Sequence, residues 1–381
     1  MTNELKNVPE LRFSEFDGVW ENSKLGTVAN VYDGTHQTPK YTIEGIKFLS
    51  VENIKTLNSN KFISKEAFEK EFKIRPELGD VLMTRIGDVG TPNVIETNED
   101  LAYYVSLALL KPKKLNSYFL ESLIRSQTVQ NELWRKTLHI AFPKKINKNE
   151  IAKVEINYPE QMEQQKIGNF FSKLDQQIEL EEQKLEKLEE QKKGYMQKIF
   201  SQELRFKDEN GNDYPEWEIK KLMQIAKVKT GSKNVQDNIQ DGKFKFFDRS
   251  VEVKYLNTFD FDETAIIYPG EGSKFLPRYF SGKYSLHQRA YSIYDININN
   301  NYLYYYLSLQ NNHFLKYAVG STVKSLRMSG FDKLKVMVPK NSEQEKIGDF
   351  FNELDELIEK QSSKIGVLKQ RKKGFLQKMF V

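Results

Sequence analysis

One long segment of this chain occurs twice. Residues 163–200 read EQQKIGNFFSKLDQQIELEEQKLEKLEEQKKGYMQKIF, and residues 343–380 read EQEKIGDFFNELDELIEKQSSKIGVLKQRKKGFLQKMF. The copies align without a gap at a constant offset of 180 positions (163 against 343), and about half the positions are identical. An internal repeat constrains architecture before any local preference does. Steps of 4-3-4-3 through the first copy give Ile167, Phe171, Leu174, Ile178, Glu181, Leu185, Leu188, Lys192, Tyr195 and Ile199. The same steps in the second give Ile347, Phe351, Leu354, Ile358, Gln361, Ile365, Leu368, Lys372, Phe375 and Met379, with the polar exceptions at matching places. Such a stripe predicts a coiled-coil helix, roughly 50 Å long at about 1.5 Å per residue. A lone helix cannot bury its seam. Its nearest partner is its own copy, packed antiparallel. Ser342 with Glu345, just after Pro339, predicts a capping box at the start of the second helix.

The helices divide the chain into a globular domain over 1–160, a helix over 161–200, a second globular domain over 201–342 and a second helix over 343–381. Each half opens alike: Glu10-Leu11-Arg12-Phe13 matches Glu203-Leu204-Arg205-Phe206, Trp20 matches Trp217, and Val31-Tyr32-Asp33-Gly34 matches Val228-Lys229-Thr230-Gly231. Strand-like runs at 47–51, 81–85, 103–110, 265–268 and 290–294 precede or flank one helical stretch per half, at 117–136 and 302–317. The expected fold is mixed α/β (α+β): two globular domains separated by an antiparallel pair of long helices, with approximate two-fold symmetry. Between these landmarks the halves differ strongly, as two sites of different specificity would.

Several chemistries are missing. With no cysteine there is no disulfide, thiolate metal site or cysteine nucleophile. No phosphate loop of the form G-x-x-x-x-G-K-[ST] and no glycine-rich dinucleotide turn occurs. His36, His139, His287 and His313 lack metal-ligand spacing, and Asn157-Tyr158-Pro159-Glu160 and Glu252-Val253-Lys254 only faintly resemble methyltransferase and nuclease sites. The start MTNELKNVPEL lacks an apolar core, so no secretory leader is expected. The longest apolar run, 101–110, is too short for a membrane span. A cytoplasmic, non-membrane protein is expected. The net charge of +5 is uneven: residues 264–342 hold ten Lys or Arg against Glu271, Asp295 and Asp332. Basic residues interleaved with Tyr, Phe, His and Gln point to a polyanion such as nucleic acid. The chain reads as a binder rather than a catalyst.

The helix motifs EQQKIG and EQEKIG, with KKGYMQKIF and KKGFLQKMF closing each repeat, resemble the repeated regions of the specificity (S) subunit of type I restriction–modification enzymes. VYDGTHQTPKY, GIKFLSVENI and ELGDVLMTRIGDVG resemble one target-recognition domain of that family. YPGEGSKFLPRYFSGKYSLHQRAYSIYD, YLYYYLSL and AVGSTVKSLRMSGFDKLKVMVP resemble another. The first half departs from the pattern where the second has Gly320-Ser321-Thr322, reading LHIAFPKKI instead. The resemblance implies a non-catalytic subunit whose two domains each read half of a bipartite site in double-stranded DNA, with the helix pair setting the gap. It further implies two methyltransferase subunits docked on the helices, and restriction–translocase subunits joined to them. S-adenosylmethionine, ATP and Mg2+ would belong to those partners, and none to this chain.

The candidate DNA contacts follow from side-chain chemistry. Gln suits adenine, and Arg or Lys suits guanine, in the major groove, while most contacts go to phosphates. In the second domain the candidates are Lys274, Arg278, Lys283, His287, Gln288 and Arg289, with Ser321, Thr322, Lys324 and Arg327 on a polar loop. In the first they are Thr35, His36, Gln37, Thr38, Lys40 and Tyr41, with Arg85 at a turn after a strand. The aromatic run 302–306 is expected in the core. Two other classes remain open on residues alone: a stand-alone sequence-specific DNA-binding regulator and a coiled-coil protein scaffold.

Overall fold

A computed structural model describes residues 7–250 and 252–381. The polar start of the chain, residues 1–6, lies outside the described residues. The chain divides into two compact units, Met1–Gln183 with Ser363–Val381, and Lys184–Ser362. The two long helices run over Gln161–Phe200 and Asn341–Lys378, so each unit takes one half of each.

In the first unit the helix halves pack antiparallel. Phe170 meets Phe375 with ring centroids 5.1 Å apart, and Phe171 meets Phe380 at 5.7 Å. Farther along, Asp175 pairs with Lys372, Glu181 with Lys364 (2.8 Å) and Glu182 with Lys369 (2.6 Å). The second unit repeats the arrangement with Lys192 paired to Asp355, Tyr195 edge-on to Phe350 at 5.2 Å and Phe200 stacked on Phe351 at 5.9 Å. This explains the polar breaks in the stripe. Lys372 and Lys192 are sequence-equivalent, and each reaches an equivalent aspartate on the facing helix. Along the seam Ile167, Phe171, Ile178, Ile347, Phe351, Ile365 and Leu368 are buried, while Leu174, Leu185, Leu188, Leu354 and Ile358 are half-buried.

The entry to each helix is built from the matched residues. A strand over Glu21–Lys24 pairs antiparallel with Glu155–Tyr158, which leads through Pro159 into the first long helix. There the Arg12 guanidinium grips the fully buried Glu163 with two hydrogen bonds of 2.7 and 2.6 Å. In the second unit Glu218–Lys221 pairs with Lys335–Val338, and Arg205 grips Glu343 at 3.1 and 2.8 Å. Gln164 and Gln344 each donate to the preceding proline carbonyl at 2.8 Å. Gln164 also accepts from the Asn116 amide, and Gln344 from the Asn299 amide. The second helix begins at Asn341, so Ser342 lies inside its first turn, and Gln344 and Glu343 hold the entry in place of the expected Ser342–Glu345 box.

The globular part of the first unit contains a four-stranded antiparallel sheet in the order Ala29–Asp33, Leu107–Pro112, Val81–Ile86, Asp88–Val94. A second four-stranded sheet is built from Tyr41–Thr42, Phe62–Ile63, Ile46–Leu49 and Leu101–Tyr103. The second unit holds a six-stranded sheet in the order Lys227–Thr230, Tyr291–Tyr294, Phe261–Tyr268, Arg278–Leu286, Phe244–Phe247, Lys254–Leu256. Three runs divide more finely than their sequence implies. The run 103–110 is two strands joined by a turn. The stretch 117–136 is two helices, because Ser126 takes an extended backbone and its Oγ caps the second through the Val129 amide. The stretch 302–317 likewise splits into Asn300–Ser308 and Asn311–Tyr317. Tyr302, Tyr305 and Tyr306 are buried as expected, and their hydroxyls bond the Met337 carbonyl, Asn352 with Asp355, and the Lys335 carbonyl.

Candidate nucleic-acid interface

Each unit runs one loop along the end of a strand where only glycine leaves room. A Cβ on Gly34 would lie 2.5 Å from the carbonyl oxygens of Tyr103 and Tyr104, and one on Gly231 would lie 2.0 Å from that of Leu286. In the first unit this pins Thr35, whose amide donates to the Tyr103 carbonyl at 3.1 Å. His36, Gln37, Thr38, Lys40 and Tyr41 then follow as exposed residues, with the Tyr41 ring edge-on to Phe48. In the second unit the equivalent loop runs along His287 and Gln288, whose side-chain amide donates to Asn234 at 3.0 Å.

Asp33 is the hub of the first unit's face. It pairs with Arg85 and lies 3.9 Å from both His36 and Lys148. Arg85 is not on the surface: its side chain is 6% exposed, and its Nε donates to the Ile146 carbonyl at 2.9 Å. It ties strand Val81–Ile86 to the segment after residue 145. A buried arginine tied to Asp33 and Ile146 serves the scaffold, which corrects its expected place among direct DNA contacts.

Glu271 plays the corresponding part in the second unit. Its side chain, 12% exposed, pairs with Arg289 and with Arg249 (3.4 Å) and accepts from Ser325 Oγ at 3.4 Å. A two-stranded ribbon, Glu271–Gly272 with Lys324–Ser325, holds the 319–325 loop at Glu271, the ion-pair partner of Arg289, which follows His287 and Gln288. These three residues line a cavity of about 280 Å³ with Asp248, Arg249 and Glu271. Burial would raise the Glu271 carboxyl, but the arginines more than offset it and hold it below its ordinary range. Burial pulls the His287 imidazole down and Arg289 adds to that, against Asp248 and Glu271. The His287 Nδ1 accepts from the Arg289 amide.

Ser321, Thr322 and Arg327 are exposed on or just after the ribbon loop, where Lys324 is half-buried, and Lys274 is exposed beyond Gly272. Lys283 stands apart on its strand, opposite Asp262 and over the Phe259 ring at 4.7 Å. Arg278 turns inward: it donates to the Ser250 carbonyl, its Nη1 is buried without a partner, and burial lowers its pKa. It too is a scaffold residue rather than a surface contact. Arg249 went unanticipated because nothing in its local sequence marks it; only the fold carries it to Glu271.

The type I restriction modification DNA specificity domain matches this chain twice, over residues 18–190 and 214–369. The chain belongs to that family. Among curated relatives, this chain is 28% identical over 162 residues to the type I restriction enzyme EcoDI specificity subunit of Escherichia coli, covering 42% of this chain and 36% of that one. It is 25% identical over 235 residues to the putative type I restriction enzyme MjaX specificity subunit of Methanocaldococcus jannaschii, covering 57% and 55%. These matches span about a third and about half of the relatives' lengths. Among solved structures, the S subunit of a type I restriction–modification system from M. genitalium aligns over 98% of this chain and 99% of its own, with a TM-score of 0.67 and 16% identity. A chain from a structure of type I system assembly and conformational transition aligns over 94% and 96%, with a TM-score of 0.53 and 14% identity. At such identities the likeness is one of fold. Among the described residues no group of His, Asp and Glu is placed to hold a metal ion, and no helix is long and apolar enough to cross a membrane.

Proposed function

We propose that this chain is the non-catalytic DNA-reading subunit of a type I restriction–modification complex, acting in the cytoplasm. The observation that carries the reading is the double family match, one copy for each loop cluster and long helix. On this reading the domains over 1–160 and 201–342 each recognise half of a bipartite, asymmetric site in double-stranded DNA. The helices over 161–200 and 343–381 fix the gap and receive two methyltransferase subunits, with restriction–translocase subunits completing the assembly. S-adenosylmethionine, ATP and Mg2+ act in those partners. The contact set is Thr35, His36, Gln37, Thr38, Lys40 and Tyr41 in the first domain. In the second it is Lys274, Lys283, His287, Gln288, Arg289, Ser321, Thr322, Lys324 and Arg327, to which the cavity adds Arg249. Gln288 and Arg289 are suited to base edges, since their polar ends lie at an open cavity beside exposed loops.

Enrichment of duplexes from a random pool, by the full chain with the subunits that co-purify from its host, tests the reading. Two short blocks of fixed bases separated by a constant gap are expected, with methylation inside them. A single contiguous block, or no enrichment, overturns it.

A further inference from the structure

The loops that follow the paired short helices occupy the same place in both units but carry opposite chemistry. In the second unit Val319 and Ser325 close the loop with two backbone hydrogen bonds of 2.9 and 2.7 Å, and its tip is Gly320, Ser321 and Thr322. In the first unit Leu138 and Lys145 close it at 2.8 Å. The base of this second loop is fixed from two further sides: the Gly87 amide donates to the Lys144 carbonyl at 2.8 Å, and the Ile146 amide to the Arg85 carbonyl at 3.0 Å. A stiffly held base makes what the tip presents part of the surface.

That tip presents Ile140 and Phe142, 100% and 103% exposed. Two large apolar side chains standing wholly in water on a held loop mark a contact surface rather than a packing accident. The surroundings define the occupant. Residues 133–149 contain Arg135, Lys136, Lys144, Lys145 and Lys148 and no acidic residue. Glu132 engages Arg135 and Lys136, and Lys148 lies 3.9 Å from Asp33, but Lys144 and Lys145 stand exposed beside the tip. Asp88, on the neighbouring turn, is held by Thr84 Oγ1 at 3.3 Å. An apolar tip beside two exposed lysines complements a polyanion that also offers apolar groups, which describes duplex DNA: phosphates outside, and base edges with thymine methyls in the grooves.

We propose that loop 138–145 is an apolar reading finger, which lays Ile140 and Phe142 against the bases of one half-site while Lys144 and Lys145 hold the flanking phosphates. The inference rests on the DNA-reading function above and adds a specificity element where the other unit uses hydroxyls.

The test compares the full chain, with the subunits that co-purify from its host, against the same preparation carrying the double variant Ile140→Ser, Phe142→Ser, using duplexes enriched by the wild type. The variant should bind about ten-fold more weakly, the scale of one lost base recognition in a duplex site. Its salt dependence should be unchanged, since no charge is removed. Re-enrichment should show lost base preference in one half-site and an intact other. The pair Lys144→Gln, Lys145→Gln should instead flatten the salt dependence and leave base preference in place. Because both apolar residues are wholly exposed, the double variant should keep the wild-type melting temperature; a clear drop would show that they pack, and would overturn the finger. Equal affinity and preference overturn it too, as does a variant that binds DNA normally but loses self-association or a co-purifying subunit. A wild-type chain that enriches no duplex refutes the function and the finger together, whereas equal binding by the variant refutes the finger alone.

Discussion

At the scale of single residues, the pairs Arg12–Glu163 and Arg205–Glu343 hold the start of each long helix. Removing one partner of a buried pair leaves an uncompensated charge and costs about 3–5 kcal/mol. The two sites are not equal. Glu343 also accepts from Trp217 Nε1 at 3.1 Å, whereas the matching Trp20 Nε1 is buried without a partner. Arg12→Ala should therefore destabilise more than Arg205→Ala by chemical denaturation, because Glu343 keeps a donor. Asp248 carries the clearest pH dependence. Burial pushes its carboxyl up, but bonds from Lys254 and Ser250 more than offset this, so it sits below the ordinary 3.8. A folded value below the unfolded one means its contribution is complete above the unfolded value and is lost as pH falls through the folded one. Asp248→Asn should lower stability at pH 7 and flatten the acid limb below about pH 4; an unchanged acid limb in melting scans would refute the assignment. Arg85 and Arg278 show where residue-level reading stops. A strand arginine looks the same in sequence whether it faces solvent or, like Arg85, bonds Asp33 and Ile146 inside.

At the scale of elements, what was legible is what has a period. The 4-3-4-3 stripe located both long helices and its matched polar breaks, but that Lys192 and Lys372 pair with aspartates of the facing helix is decided by the packing alone. The split at Ser126 was not legible, since one cap decides it inside an otherwise helical run. Strand Arg278–Leu286 has no clean apolar alternation in sequence, because Arg278 and Gly282, at φ +119°, interrupt its inward face of Phe280, Tyr284 and Leu286, and Tyr279 puts an aromatic on its outward one. The loop clusters were legible as polar segments, but not their meeting at Asp33 and Glu271, which long-range pairing decides. The helix pair offers an element-scale prediction. One heptad inserted after Gln183 and another after Ser362 falls at the unit boundary in both helices, so Asp175–Lys372 and Lys192–Asp355 keep their register. Seven residues add about 10 Å while preserving the seam, equivalent to about three base pairs of duplex. Enriched sites should keep both blocks of bases and widen the gap. An insertion in only one helix should destabilise the protein, and changed blocks with an unchanged gap would show that the helices do not set the spacing.

At the scale of the whole molecule, the repeat makes half the chain nearly self-sufficient. A fragment of residues 1–200 lacks 363–381, the strand of helix that covers Ile167 and Phe171 in the first unit. A second copy can supply the equivalents: Tyr195 for Phe375 against Phe170, Phe200 for Phe380 against Phe171, Lys192 for Lys372 against Asp175, and Lys184 for Lys364 against Glu181. One exchange is unfavourable. Glu182, which faces Lys369 in the intact chain, would meet Glu189 of the other copy. An exposed like-charge contact of this kind costs a few tenths of a kcal/mol, small beside truncation of a buried Phe at about 3–5 kcal/mol. The fragment should therefore dimerise at micromolar concentration, and light scattering should return twice the monomer mass. Glu189→Lys restores the charge that Lys369 provides, and should tighten the dimer several-fold at low salt and less at high salt. With two copies of the first reading domain, duplexes enriched by the dimer should carry the first block of bases twice, inverted. A fragment that stays monomeric at tens of micromolar, or a dimer that still selects the original asymmetric site, would refute the interchangeability of the two helix copies.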